Sequence, residues 1–176
     1  MKTLERRIRM ETKDVQWLIK RYLDVEKLFQ EFFAAWNYCA TKCHVEGNVG
    51  CCDFDHFRLG YNLGKDFVTR FEAQRDKLYG RRPSLTERQF PCFYSSCQGC
   101  KLKTHRAPKC YAYICVPMRD ELRKKYGIEI DYEQMMNCLE RILSGELLDS
   151  EFSFLKQKIE AWVELIVKIQ AKRRTE

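Results

Sequence analysis

A mainly helical fold is predicted by three observations. Apolar residues recur at three- and four-residue spacing toward both ends of the chain, charged residues interrupt every apolar stretch, and no alternating run is long enough to make a firm strand. The expected architecture is a long N-terminal helix, a cysteine-rich loop region around a metal site, and a C-terminal helical hairpin. At 176 residues and 45% hydrophobic content, the chain can bury one real core, so residues 1–176 are taken as a single domain. Within it, residues 39–115 form the cysteine-rich region and residues 131–172 the hairpin.

The first helix is expected from Thr12 to about Ala40, where Val15, Leu18, Ile19, Tyr22, Val25, Phe29, Phe32, Phe33 and Trp36 make one apolar stripe. If it runs that far, Cys39 and Cys43 lie four residues apart on one face and continue the stripe. His44 to Gly50 reads as a loop. Cys51 and Cys52 then precede Asp53 and Asp55, either of which suits a helix cap, and this places the vicinal pair at a helix N-terminus. Amide hydrogens and the positive end of the helix dipole there favour thiolate over thiol. Phe54 to Tyr79 reads as that second helix, with Phe67, Val68, Phe71 and Leu78 on one side. Gly60 and Gly64 either interrupt it or admit a close neighbour.

Gly80 and Pro83 end the pattern, and Ser84 with Glu87 resembles a capping box for one short helix. A loop-rich stretch from Phe90 to Pro117 follows, in which Tyr111–Ile114 is the one candidate for a short strand. Helical spacing then returns. Asp131 and Gln134 form a cap-like pattern ahead of Tyr132, Met135, Met136, Leu139, Ile142 and Leu143, and Ser144–Gly145 supplies a stop. A last helix from about Ser150 carries Leu155, Ile159, Trp162, Val163, Ile166 and Ile169 before a solvated tail.

The first twenty-odd residues offer neither a signal-peptide segment nor a membrane span, so a cytoplasmic location without membrane association is expected. A reducing compartment rarely permits structural disulfides, and the ten cysteines therefore point to metal ligation. The net charge of +7 is concentrated: residues 77–125 carry +9 and the remainder −2. The positive excess surrounds the second group of cysteines.

Those cysteines are spaced Cys39-x3-Cys43-x7-Cys51-Cys52 and Cys92-x4-Cys97-x2-Cys100-x9-Cys110-x4-Cys115. These nine are the candidate metal ligands. Cys138 lies on the apolar face of a predicted helix and is set aside as a small buried hydrophobe. Only one C-x2-C knuckle exists, whereas a zinc ribbon takes two. Radical-SAM and bacterial ferredoxin spacings are absent as well. His44 and His105 are possible nitrogen ligands, weighed below a solvated or structural role, and His56 ranks lower still. Cys97-Gln-Gly-Cys100 lacks the strand–helix context of a redox dithiol.

The early cysteine group ending in Cys51-Cys52, followed by Gly99-Cys100, Arg106-Ala-Pro108, Cys110, Tyr113 and Cys115, resembles the YkgJ-like CxxCxxCC proteins. These are described as zinc- or iron-chelating and are often called iron–sulfur-cluster containing; flagellin lysine methylases carry a related pattern. The resemblance covers about Cys39 to Cys115. It implies metal binding and, with the irregular spacing, tilts the choice slightly toward an iron–sulfur cluster over zinc.

No phosphate loop, dinucleotide fingerprint, HExxH or nucleophile elbow occurs, so no catalytic group can be named and an enzymatic role is left open. Three function classes follow. One is a metal-binding protein with a structural or redox role and a protein partner. Another is a cluster-dependent enzyme or a methyltransferase-related accessory protein. The third is a nucleic-acid module using Arg81, Arg82, Arg88, Lys101, Lys103, Arg106 and Lys109 interleaved with Phe93, Tyr94 and Tyr111. The basic belt can also be accounted for without a partner: four thiolates around zinc leave a charge of about −2, which nearby cations stabilise. That account is preferred.

Overall fold

The computed structural model describes residues 14–43, 56–60, 63–80, 92–96 and 99–175. These residues are mainly helical. Helix α1 (Val15–Trp36) starts where the Asp14 side chain accepts from the Gln16 amide at 3.0 Å. Its stripe is fully used, with Leu18, Ile19, Tyr22, Val25, Phe29, Phe32 and Trp36 all buried. Each large apolar side chain contributes about 1.5–3 kcal/mol by leaving water. The helix stops short of Ala40 because Asn37 turns left-handed (φ 54°) and its amide closes on the Phe33 carbonyl at 2.7 Å. Asparagine tolerates that conformation better than most side chains. Cys39–Cys43 then forms a single wide π turn of its own. Cys39 and Cys43 are therefore offset from the α1 stripe by the Asn37 turn.

The second helix, α2 (Lys65–Tyr79), begins eleven positions after the expected Phe54, with Gly64 as its first cap. Residues 56–60 form turns, so this helix does not start at the vicinal pair, and residues 51–55 lie outside the described residues. A Cβ on Gly60 would stand 2.4 Å from a Glu140 carboxylate oxygen, so the close neighbour there is a side chain. The buried face of α2 is Phe67, Phe71 and Arg75, a strict four-residue spacing, while Leu78 is 57% exposed. An arginine thus holds the position where the periodicity suggested an apolar residue. The capping-box residues Ser84 and Glu87 lie outside the described residues.

Two short strands, β1 (Ser95–Ser96) and β2 (Gly99–Cys100), pair antiparallel with Ser95 opposite Cys100 and Ser96 opposite Gly99. The candidate strand at Tyr111–Ile114 is not formed. Pro108 fits the first turn of α3 (Pro108–Ala112), where its missing amide costs nothing, and the Tyr113 amide closes on the Lys109 carbonyl at 3.0 Å. Helix α4 (Val116–Tyr126) follows and ends at left-handed Gly127. Helix α5 (Tyr132–Ser144) is capped as its sequence indicates: Asp131 accepts from the Gln134 amide at 2.8 Å and Gly145 is left-handed. Helix α6 (Asp149–Thr175) carries the C-terminal residues expected as a tail in helical form, and residues 171–173 remain exposed.

Helix α1 packs along α6, α5 and α2, while α3 packs on α5 and α4 on α6. The α5–α6 turn is fixed to this core by Arg21 of α1, which pairs with Asp149, donates to the Leu147 and Leu148 carbonyls and faces the Phe152 ring. Across the same turn Arg141 grips Glu151 through two hydrogen bonds of 3.0 and 2.7 Å. Beside the main core lies a smaller one made of Phe57, Cys92, Tyr94 and Leu102. Met135 is buried and Met136 partly so, as core packing requires. No helix among the described residues is long and apolar enough to cross a membrane.

Candidate metal centre

The fold divides the candidate cysteines differently from their order in the chain. Cys39, Cys110 and Cys115 pack against the main core, whereas Cys92 and Cys100 belong to the small core. The Cys39 sulfur lies 3.7 Å from the Met118 sulfur in the first turn of α4, and Cys115 is the N-cap of that same helix. The Cys110 thiol donates to the His56 carbonyl at 3.3 Å, and the His56 ring lies 4.7 Å from the Tyr113 ring. His56 follows Cys52 by four residues in the sequence. Cys51, Cys52 and Cys97, like His44, lie outside the described residues, as does the Cys43 side chain. Cys138 lies partly buried against the main core, as do Cys39, Cys110 and Cys115.

Between Cys100 and Cys110 the connection from Lys101 to Ala107 is held almost entirely by side chains, because its backbone has no helix or sheet to satisfy it. Tyr79 of α2 accepts the Lys103 and Thr104 amides at 3.0 and 2.8 Å on one hydroxyl. Glu26 of α1 accepts the His105 and Arg106 amides, one on each carboxylate oxygen, both at 2.8 Å, and the Tyr111 hydroxyl at 2.7 Å. His105 is left-handed (φ 61°), so successive amides converge as a small nest around that carboxylate. Tyr22 donates to the Arg106 carbonyl at 2.8 Å, and Gln30 donates to the Lys103 carbonyl. Tyr22, Glu26 and Gln30 are four residues apart along α1, so one helix row carries all three.

Arg106 completes the arrangement. Its guanidinium donates twice to the Leu102 carbonyl, at 3.0 and 2.8 Å, and lies 5.6 Å above the Tyr111 ring. Burial pushes its pKa down, but Tyr111, Cys100, Cys110 and Glu26 together raise it above the ordinary arginine value. Both thiols therefore stand within electrostatic reach of one permanent cation. Burial pushes the hydroxyl pKa values of Tyr22 and Tyr111 well up, and nearby Glu26 adds to both, so each phenol remains a donor.

Glu26 is 1% exposed. Burial raises its carboxyl pKa, against the opposing pull of the Tyr111 hydroxyl, the two amides and Arg106. A carboxyl with a folded pKa above its unfolded value, about 4.3, contributes stability that is complete below the unfolded value and lost as pH rises through the folded one. The stability of the native protein relative to a Glu26→Gln variant is expected to fall between about pH 4 and neutrality. Denaturant titrations of both proteins across that range check this, and a difference that is flat or rises with pH would contradict it.

Both ring nitrogens of His105 have partners within the fold: Nδ1 lies 3.0 Å from Thr104 Oγ1 and Nε2 lies 3.0 Å from Gln74 Oε1. Burial and then the Arg75 charge lower its pKa, so the ring stays neutral. The belt expected to stack bases is also altered, because Tyr94 and Tyr111 are buried and Arg106 faces inward. Lys101 and Lys103 remain exposed, while Arg81, Arg82 and Arg88 lie outside the described residues. Two grooves beside Lys125 and Arg173, of about 410 and 480 Å³, are lined by no cysteine.

Among the described residues no three cysteine, histidine or carboxylate side chains converge as a metal-binding group. A complete thiolate site would therefore draw on Cys43, Cys51, Cys52 or Cys97 together with the placed thiols. None of the protein families, curated proteins or solved structures compared with this chain matches it. Glu26 and Arg75 were not foreseen from the sequence. The signal available for Glu26 was a row of Tyr, Glu and Gln at four-residue spacing beside an otherwise apolar stripe.

Proposed function

We propose that this chain is a cysteine-ligated metal-binding protein in which the metal joins the Cys39 turn, the vicinal Cys51-Cys52 pair and the region from Cys92 to Cys115. The observation that carries this reading is the position of the Cys110 thiol against His56, four residues beyond Cys52, with Cys100 and Cys110 both in reach of Arg106. Soft thiolate ligands of this kind suit zinc and iron–sulfur clusters alike. The resemblance to the YkgJ-like proteins points the same way, and with the irregular spacing it favours an iron–sulfur cluster over zinc. The metal's role in this reading is first structural, since among the described residues the small core has four buried members, Phe57, Cys92, Tyr94 and Leu102.

The test is anaerobic purification followed by metal and acid-labile sulfide analysis and a visible spectrum. Brown protein with stoichiometric iron and sulfide selects the cluster. Colourless protein with stoichiometric zinc selects the alternative, and protein with neither metal overturns the proposal.

A further inference from the structure

We infer that the outer face of α6 docks against the same face of a second copy of this chain, as an antiparallel helix pair crossing near Ala161. The inference does not rest on the metal proposed above. Helix α6 has 27 residues, about 40 Å of length, and buries Leu155, Ile159, Trp162 and Ile166 in the main core. A second row of the same helix, Phe154, Lys158, Ala161, Leu165, Lys168 and Lys172, follows at three- and four-residue spacing and is exposed throughout. Phe154 is 67% exposed and Leu165 37%. A single exposed apolar side chain needs no explanation. Two large ones in one helix row, with a small alanine between them, make a seam on which another helix can lie.

The charges of this row select the partner. The ion pairs of the described residues use none of Lys158, Glu164 and Lys168. In an antiparallel pair centred on Ala161, Lys158 of one copy comes level with Glu164 of the other, and Phe154 with Lys168. The twofold axis repeats both contacts, so the face is complementary to itself, as an isologous interface requires. The Lys168 stem covers the exposed Phe154 ring and its ammonium meets the ring face. The acidic first turn, Asp149 and Glu151, comes level with Lys172 and Arg173 near the other end. A parallel pair would instead set Lys158 against Lys158 and Glu164 against Glu164, and like charges across a helix seam select against that orientation.

Sedimentation equilibrium of the full chain under reducing conditions, which prevent disulfide cross-links, tests the inference. The native chain is expected to dimerise reversibly with rising concentration. Phe154→Gln should raise the dissociation constant about tenfold or more, since each dimer loses two apolar anchors. Lys158→Glu and Glu164→Lys alone should each raise it about tenfold, by setting like charges opposite one another at two places. Both reversals in one chain restore the opposite-charge pairing and should return the constant to within about threefold of native, as should an equimolar mixture of the two single variants. All of these side chains are exposed, so thermal melting of the variants, measured alongside, should stay close to native. A native chain that remains monomeric at about 100 μM, well above the micromolar constants such interfaces allow, would overturn the inference. So would a dimer that Phe154→Gln leaves unchanged, which places the contact elsewhere, or single reversals that the double reversal does not rescue, which removes the antiparallel pairing.

Discussion

Removing the proposed metal by chelation is expected to cost stability on the order of 10 kcal/mol, a figure typical of structural thiolate sites and comparable with the whole stability of a domain this size. The loss should not fall evenly. Helices α1, α5 and α6 share a core with Phe29, Phe32, Leu139, Ile142, Ile159 and Ile166, which buries enough apolar surface to persist. Among the described residues the small core of Phe57, Cys92, Tyr94 and Leu102 is far smaller. Amide exchange on the metal-free protein should therefore accelerate at residues 56–60 and 92–107 while α5 and α6 keep their protection. Cys110→Ser separates ligation from hydrogen bonding, because a serine hydroxyl can donate to the His56 carbonyl as the thiol does yet is a poor ligand for a soft metal site. If Cys110→Ser melts and exchanges like the native protein, Cys110 holds His56 and nothing more.

What was legible in the sequence was what is decided locally. The cap at Asp131 and the stop at Gly145 each depend on residues within one turn, and both formed as their spacing indicated. The stripe of α1 was legible for the same reason, since apolar periodicity sustained over several turns fits a buried helical face and little else. Where that helix ends was not, because Asn37 is an unremarkable helix residue until it adopts a left-handed conformation. Tyr111 and Tyr113 read as a strand from their β propensity. Tyr111 instead ends up in the short helix that Pro108 opens, buried against Phe29 with ring centroids 5.1 Å apart, and Tyr113 caps it. The cysteines posed the hardest problem. Their sequence order separates Cys39 from Cys110 and Cys115, and packing brings all three to the main core while sending Cys92 and Cys100 elsewhere. Spacing along a chain carries no information about which loops fold back on which.

Arg75→Ala is expected to cost about 3–5 kcal/mol, the loss associated with removing one partner from a buried charged group and leaving a cavity behind. Arg75 has no exposed surface. Its guanidinium donates to the Phe57 carbonyl at 2.8 Å and to Glu72 at 3.0 Å, and it lies 5.5–6.0 Å from the rings of Phe57, Phe71 and Tyr94. One side chain therefore joins α2 to residue 57 and to the small core, and its aliphatic stem follows Phe67 and Phe71 along the helix. Arg75→Met distinguishes the charge from the packing. It restores most of the volume but not the guanidinium's hydrogen bonds to the Phe57 carbonyl and Glu72, so its cost should be smaller, about 1–3 kcal/mol. Urea denaturation of the two variants and the native protein gives the comparison. An alanine variant within about 1 kcal/mol of native would mean that the site collapses around the missing side chain, and a methionine variant as stable as native would mean that the guanidinium contributes only its bulk. The expected order, native above Met above Ala, follows from Arg75 acting both as a donor to Phe57 and as the filling between two cores.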